Sequence, residues 1–206
     1  MQARPHLVAA GLRLLLYGTL ATLGLEAVVR AAEAGLLEPV TSEDGTIEKV
    51  QVFLALGTAG VLMIAAGRRP DLRTVLRLLA LAALFAVVRE LDGFLDSHWF
   101  KGAYKYLNAP IVLAFVVIAF KHRRDLLAEL GRAGLPLSMV LMFLGFFLVV
   151  GYSQVLGQKE LWQAAMGEDY LRLVKNTVEE SSELVGFLMI LFGAVEAALF
   201  EPGRSA

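Results

Sequence analysis

Long apolar stretches separated by short polar segments dominate the pattern of hydrophobic positions along the chain. A helix needs about 20 mostly apolar residues to cross roughly 30 Å of hydrocarbon, and six stretches approach that length. They cover residues 7–29, 50–66, 72–95, 103–120, 135–156 and 177–200. The pattern therefore predicts an all-α fold, a polytopic transmembrane helix bundle of six spans that forms one membrane domain over residues 1–206.

Three segments leave alternatives open. The strictly apolar run 109–120 reaches spanning length only if Tyr104 and Tyr106 sit at the headgroups. The first stretch could be a cleaved signal peptide, but its apolar run exceeds the roughly 7 to 15 residues of a signal sequence, so we interpret it as an uncleaved helix. Residues 158–172 could form an interfacial helix on the membrane or the extended start of the sixth span.

Composition agrees with a membrane class and excludes several others. The chain is 57% hydrophobic and 19% charged, and its mean hydropathy is +0.64, whereas soluble domains carry about 25% charged residues. The net charge of −1 gives no basic field for nucleic acid. The absence of cysteine excludes disulfides and thiolate metal sites, and no phosphate-binding loop or dinucleotide fingerprint occurs, so we expect no cofactor.

The distribution of basic residues predicts the orientation, because Arg and Lys in short loops resist translocation. One set of alternate segments holds eleven of them: Arg4, Arg13, Arg68, Arg69, Arg73, Arg77, Lys121, Arg123, Arg124, Arg132 and Arg204. The other set holds seven: Arg30, Lys49, Lys101, Lys105, Lys159, Arg172 and Lys175. Both termini are therefore predicted to be cytoplasmic.

Acidic residues inside the predicted spans are the candidates for function, because ionisable groups at bilayer depth are costly and usually face the bundle interior. The candidates for binding a proton or a monovalent or divalent cation are Glu26, Glu48, Glu90, Asp92, Glu179 and Glu183. All six lie nearer the non-cytoplasmic ends of their spans. The pattern predicts a hydrated, acid-rich vestibule open to the outside.

Helical spacing predicts which faces point inward, since residues three and four apart share a face. Three stripes of polar and small residues follow this spacing: Thr19, Thr22 and Glu26; Glu48, Gln51, Ala55 and Thr58; Glu179, Glu183, Gly186 and Gly193. Arg30, one turn beyond Glu26, is a candidate local partner for it. The glycine stripe could instead pack between subunits of a homo-oligomer.

Arg89 is the candidate for a structural ion pair. Adjacent side chains on a helix diverge, so we expect its partner to be Glu26, Glu179 or Glu183 from another helix rather than Glu90. The structural interpretation of the acidic residues is such an ion-pair network in a structural or assembly protein. The functional interpretation is that carboxylates outnumber cations, so some bind a proton or a metal ion.

A third alternative is a lipid-directed hydrolase or transferase that uses Glu90, Asp92, Asp96 and His98. No HxxxH, HExxH or HxxE pair is present, and His98 beside two aromatic residues is typical of an interfacial anchor. The sequence therefore favours a non-enzymatic role and assigns no catalytic residue or metal ligand.

The segment Ser42-Glu43-Asp44-Gly45-Thr46-Ile47-Glu48 precedes the second span directly. It resembles bacterial polytopic inner-membrane proteins of uncharacterised function, in which an EDGxxE sequence leads into a transmembrane helix, followed by a basic turn and a third helix ending in acids. The likeness covers residues 42–96 and departs where those proteins have paired acids before a Trp-Gly-Gln element. The resemblance implies a bacterial inner-membrane location and does not assign an activity. Glu43 and Asp44 fit a turn in which acidic residues complement the dipole of the helix that follows.

Overall fold

The chain folds entirely into helices and turns in the computed structural model, which describes residues 4–42, 45–133 and 136–200. The helices are α1 (Arg4–Glu33), α2 (Leu37–Thr41), α3 (Thr46–Arg68), α4 (Arg73–Glu90), α5 (Asp92–His98), α6 (Ala103–Lys121), α7 (Arg123–Ala133), α8 (Leu137–Phe147), α9 (Ser153–Leu156), α10 (Lys159–Met166) and α11 (Arg172–Leu199). A π-helical turn, Leu148–Tyr152, joins α8 to α9. Glu43, Asp44 and Arg204 of the sequence analysis lie outside the described residues.

Within the described residues, five segments are long and apolar enough to cross a membrane, and they contain α1, α3, α6, α8 with α9, and α11. The all-α prediction is confirmed, and so is the membrane-spanning length of the short run in α6. The helix predicted as the third span, α4, is not among the five. Its 18 residues include Arg73, Arg77, Arg89 and Glu90.

The helices α3 and α11 lie at the centre of the bundle. On one side α4 packs along α3 and α6 packs outside α4, while α8 and α1 pack against α11. Lipid offers little hydrophobic drive for helix association, so close contact depends on small side chains. Ala65, Ala194 and Ala197 are fully buried at these contacts.

Glycines bring α8 and α11 into backbone contact. A Cβ added to Gly186 would lie 2.8 Å from the Gly145 carbonyl oxygen, and one added to Gly193 would lie 2.6 Å from the Ser138 carbonyl oxygen. The prediction that Glu179, Glu183, Gly186 and Gly193 share an inward face is confirmed for the last three, which are buried, whereas Glu179 is partly buried. The alternative that this stripe packs between subunits is wrong, because α8 already covers it.

Successive long helices alternate in direction, which places the start of α1 and the end of α11 at the same end of the bundle. Arg13 of α1 contacts Glu196 of α11 at that end, and Val28 packs near Leu184 at the other. We call the first the basic end, because it also holds the arginine-rich turn between α3 and α4. The opposite end, which holds Glu90, is the acidic end.

Two predicted segments are divided differently in the structure. The continuous span 72–95 is wrong, because α4 ends at Glu90 and Leu91, at φ −96° and ψ 11°, precedes a separate α5. Within the segment 158–172, a separate helix, α10, ends at Met166, and Gly167 follows it with φ 59° before α11 begins. Glycine tolerates this left-handed conformation, so Gly167 separates α10 from the sixth predicted span.

Candidate functional site

Three glutamates converge at the acidic end, where α4 and α11 both pass beside α3. Glu90 of α4 and Glu183 of α11 are 8% and 5% exposed, and Glu180 of α11 is partly buried. Glu90 and Glu183 interact electrostatically with each other, and Glu180 interacts with both. We call Glu90, Glu180 and Glu183 the acid cluster.

Glu183 is held by two neutral donors from the helix that follows the π-helical turn. The hydroxyl of Ser153 lies 2.9 Å from Glu183 Oε1, and Nε2 of Gln154 donates to the same oxygen at 3.0 Å. The Ser153 hydroxyl also lies 2.6 Å from the Val149 carbonyl oxygen, so its single proton serves one acceptor at a time. Single π-helical turns inside α-helices occur often at functional sites.

Gln51 of α3 faces the acid cluster and is fully buried. Its Nε2 donates to Glu180 Oε2 at 3.2 Å and lies 3.3 Å from the Glu180 carbonyl oxygen. Its Oε1 is buried without a hydrogen-bond partner in the described part of the chain. A buried carbonyl oxygen either accepts a hydrogen bond from a donor or coordinates a cation. Gln51 Oε1 can therefore interact with one further protonated or positively charged group.

Arg89 pairs with its neighbour on the chain, because Nη1 donates to Glu90 Oε1 at 3.2 Å. The expectation that Arg89 would not pair with adjacent Glu90 is wrong, whereas Arg89 also interacts electrostatically with Glu183 of α11, one of its expected partners. Glu90 is the last residue of α4, and the half-exposed Arg89 side chain is long enough to turn back towards it. Within the described ranges no other cation forms an ion pair with the acid cluster, so three carboxylates share one guanidinium.

The interior stripe predicted on α3 is confirmed, whereas the stripe predicted on α1 is wrong. Gln51, Ala55 and Thr58 are buried. On α1, Thr19 and Glu26 are exposed, and the predicted pair between Glu26 and Arg30 forms at 3.0 Å. Helix α1 buries Tyr17 and Val28 instead, so Glu26 points away from the acid cluster.

The three remaining candidates lie outside the acid cluster and differ in how they interact with it. Glu48 is partly buried and interacts electrostatically with both Glu90 and Glu180. Asp92 is partly buried on α5 and interacts with Glu90. Glu179 forms an ion pair with Lys175 at 2.5 Å, so its charge is matched locally.

Of the residues of the enzymatic alternative, Asp92 interacts with Glu90, whereas His98 and Asp96 have other partners. His98 is exposed, stacks on Phe94 at 4.1 Å and holds its Nδ1 2.9 Å from the Ser97 hydroxyl. Asp96 Oδ1 accepts a hydrogen bond from the backbone N–H of Gly102 at 2.8 Å. In the part of the chain that the structure describes, no three His, Asp or Glu side chains are placed to hold a metal ion.

A buried triad at the basic end was missed by the sequence analysis. Glu196 is fully buried, and Arg13 donates to it through Nε at 2.6 Å and Nη2 at 3.1 Å. The hydroxyl of Tyr17 donates to Glu196 Oε1 at 2.8 Å, and its ring stacks on Phe192 at 4.5 Å. The available signal was an Arg and a Tyr four residues apart on α1 and a single acid near the end of α11.

A second buried glutamate was also missed. Glu129 of α7 is 4% exposed and accepts hydrogen bonds from the backbone N–H groups of Thr74 at 3.1 Å and Val75 at 2.9 Å. These are unpaired donors of the first turn of α4, where the helix dipole favours a negative charge. Glu129 therefore fixes α7 to the start of α4.

The geometry of the acid cluster is thus the main guide to function. No protein-family model, no curated protein and no solved structure matches this chain.

Proposed function

We propose that the acid cluster binds and releases a proton inside the membrane, and that the protein takes part in proton or cation movement. The observation that supports this is the combination of two buried carboxylates and one partly buried carboxylate with a single paired guanidinium and with Gln51 Oε1, which has no hydrogen-bond partner among the described residues. A proton on Glu180 would reduce the repulsion within the cluster. It would also supply the donor that Gln51 Oε1 lacks.

We propose further that α4 is a sixth membrane span. The 18 residues of α4 extend about 26 Å along the helix axis, close to the roughly 30 Å of the hydrocarbon core. Its charges lie at its ends, where long side chains reach the interface. The basic end then faces the cytoplasm with both termini, and the acid cluster opens to the outside of a bacterial inner membrane.

A purely structural role is the second candidate. The contact between Arg89 and Glu90 and the two donors on Glu183 are what a packing network would contain. On this account each carboxylate stabilises the bundle through its partners. Removing the charge of Glu183 or Glu180 would then destabilise the protein and change no titration.

The test reads the proton directly. We would insert the full chain into nanodiscs and follow the infrared carbonyl band of protonated carboxyl groups during a pH titration, for the wild type, Glu180→Gln, Glu183→Gln and Glu160→Gln. Glu160 is an exposed acid of α10 and serves as the matched control. We expect the wild type and the control to keep a band of protonated carboxyl at a pH at which exposed carboxyl groups are ionised, and both cluster variants to lose that band.

Proteoliposomes containing a pH-sensitive dye provide the second measurement. We expect proton flux above that of protein-free vesicles, reduced in Glu180→Gln and Glu183→Gln and retained in Glu160→Gln. The proposal fails if the cluster variants keep the protonated-carboxyl band that the wild type shows when exposed carboxyl groups are ionised. It also fails if they lose thermal stability while band and flux match the control, which is the structural outcome. Stabilisation of the wild type by Na⁺, K⁺ or Mg²⁺ that disappears in Glu180→Gln would replace the proton by that cation.

A further inference from the structure

A polar cavity of about 320 Å³ lies at the basic end, between the start of α4, the end of α6 and the start of α7. Its polar lining comes from Arg73, Thr74, Arg77, His122, Asp125 and Glu129. The cavity is separated from Glu90 by the length of α4, about 26 Å. It is therefore independent of the acid cluster and of the function proposed for it.

The acids that line this cavity are already engaged. Glu129 accepts the two backbone N–H groups at the start of α4. Asp125 Oδ2 lies 3.2 Å from His122 Nδ1, one turn away on the chain. Asp125 and Glu129 therefore each have a hydrogen-bond partner other than Arg73 and Arg77.

The arginines of the cavity are not engaged. Arg73 and Arg77 are exposed and form no ion pair or hydrogen bond within the described ranges, and they lie one turn apart on the same face of α4. Other arginines at this end have partners: Arg69 pairs with Asp71 at 2.9 Å, and Arg123 donates to the Phe120 carbonyl oxygen at 3.2 Å. Arg73 and Arg77 thus present ten unpaired N–H donors between them, in two planar forks.

The position of the cavity selects the ligand. It lies where the apolar part of α4 begins, which is the depth of lipid headgroups if α4 crosses the membrane beside α3. Basic pockets between membrane helices bind phosphate-bearing headgroups, and the guanidinium fork matches two phosphate oxygens. The Thr74 hydroxyl, on the same cavity wall, can add a further donor.

We propose that this cavity binds the phosphate group of an anionic lipid headgroup, held by Arg73 and Arg77. Free phosphate esters carry the same chemistry, so the test separates the two sources. The purified full chain in a neutral detergent is titrated with short-chain phosphatidic acid, short-chain phosphatidylcholine or inorganic phosphate, and the melting temperature is recorded. A ligand at free concentration L that binds only the folded state stabilises it by RT ln(1 + L/Kd), so the dependence of the melting temperature on ligand concentration gives the dissociation constant.

We expect phosphatidic acid to stabilise the wild type at lower concentration than either other compound. Arg73→Gln and Arg77→Gln should each raise the dissociation constant about tenfold, the loss expected for one charge-assisted contact. Arg124→Gln removes an exposed arginine at the same end but outside the cavity, and its titration should match the wild type. Arg77→Lys keeps the charge without the fork and should fall between wild type and Arg77→Gln.

Equal weakening by Arg124→Gln and Arg77→Gln would overturn the proposal, because the effect would then be general surface charge. Failure of phosphatidic acid to stabilise the wild type would overturn it as well. Stabilisation by inorganic phosphate at the same concentrations, lost in Arg77→Gln, would overturn the lipid source and assign the cavity to a free phosphate ester. If Arg77→Gln does not fold, Arg73→Gln and Arg77→Lys carry the same comparison.

Discussion

Replacing Arg13 with methionine leaves the carboxylate of Glu196 without its counter-ion. Glu196 is fully buried, and Arg13 contacts both of its oxygens, through Nε at 2.6 Å and Nη2 at 3.1 Å. The hydroxyl of Tyr17, at 2.8 Å, is its other hydrogen-bond partner. Methionine has nearly the length of the arginine stem, so the substitution removes the charge while keeping much of the packing.

The magnitude follows from the two states of the stranded carboxyl group. Removing one member of a buried ion pair costs about 3–5 kcal/mol. The group can instead take up a proton, which for a glutamate in water at pH 7 costs about 4 kcal/mol, so the loss should not exceed that by much. The Arg13 side chain is 23% exposed, and its contact over the Phe200 ring at 4.3 Å adds about 0.5–1 kcal/mol. We therefore expect Arg13→Met to lower the free energy of unfolding by about 3–4 kcal/mol.

The double substitution Arg13→Met with Glu196→Met isolates the charge effect. Replacing both members of a buried pair by apolar residues is often neutral, so the double variant should lose about 1 kcal/mol or less. We would measure unfolding of the detergent-solubilised protein by titration with sodium dodecyl sulfate, followed by tryptophan fluorescence. Arg30→Met is the matched control, because its pair with the half-exposed Glu26 should contribute about 0.2–1 kcal/mol. The reasoning is refuted if the double variant is as unstable as the sum of the single variants, or if Arg13→Met costs no more than Arg30→Met.

Two further predictions concern packing and an unpaired amide. Gly186→Ala should destabilise the bundle by about 1–3 kcal/mol, since its Cβ would lie 2.6 Å from Val149 Cγ2. Gly57→Ala, where no neighbouring heavy atom lies within 4 Å of the added Cβ, should be neutral or stabilising in the same titration. Asn108→Leu should raise stability by about 1–3 kcal/mol, because both amide atoms are buried without a partner among the described residues. A loss of stability in Asn108→Leu would mean that the amide has a partner outside these contacts.

The helical class could be predicted from the sequence because apolar run length reports directly on membrane spans. The positions at which the helices are interrupted were less predictable. Residues 72–95 read as one span, although Asp92 and Gly93 are weak helix formers and the structure breaks before them. The length and composition of α4 do not decide whether it crosses a membrane. Charges at the two ends of a helix are found both at a membrane interface and in helices of soluble proteins.

The acid cluster was predictable only where a helix is packed on several sides. Helices α3 and α11 are central, so their polar stripes had to face inward, and Glu183 and Gln51 do. Helix α1 is peripheral, and its hydroxyls can satisfy themselves on its own backbone, as Thr19 does with Leu15. The periodicity of polar residues therefore identified the polar face of α1 that contains Glu26. It does not indicate whether another helix covers that face.

The other buried glutamates of this bundle give the best argument about the acid cluster. Glu196 receives a bidentate guanidinium and a phenol hydroxyl, and Glu129 receives two backbone N–H groups at a helix N-terminus. At both positions the chain supplies enough donors to balance a full negative charge, as a structural carboxylate requires. At Glu90, Glu180 and Glu183 the described residues supply one half-exposed guanidinium and neutral donors, and none of them donates to the neighbouring Gln51 Oε1. Since the same fold balances buried acids fully at the other end, the shortfall at the acidic end favours a site completed by a bound proton or cation over a packing network.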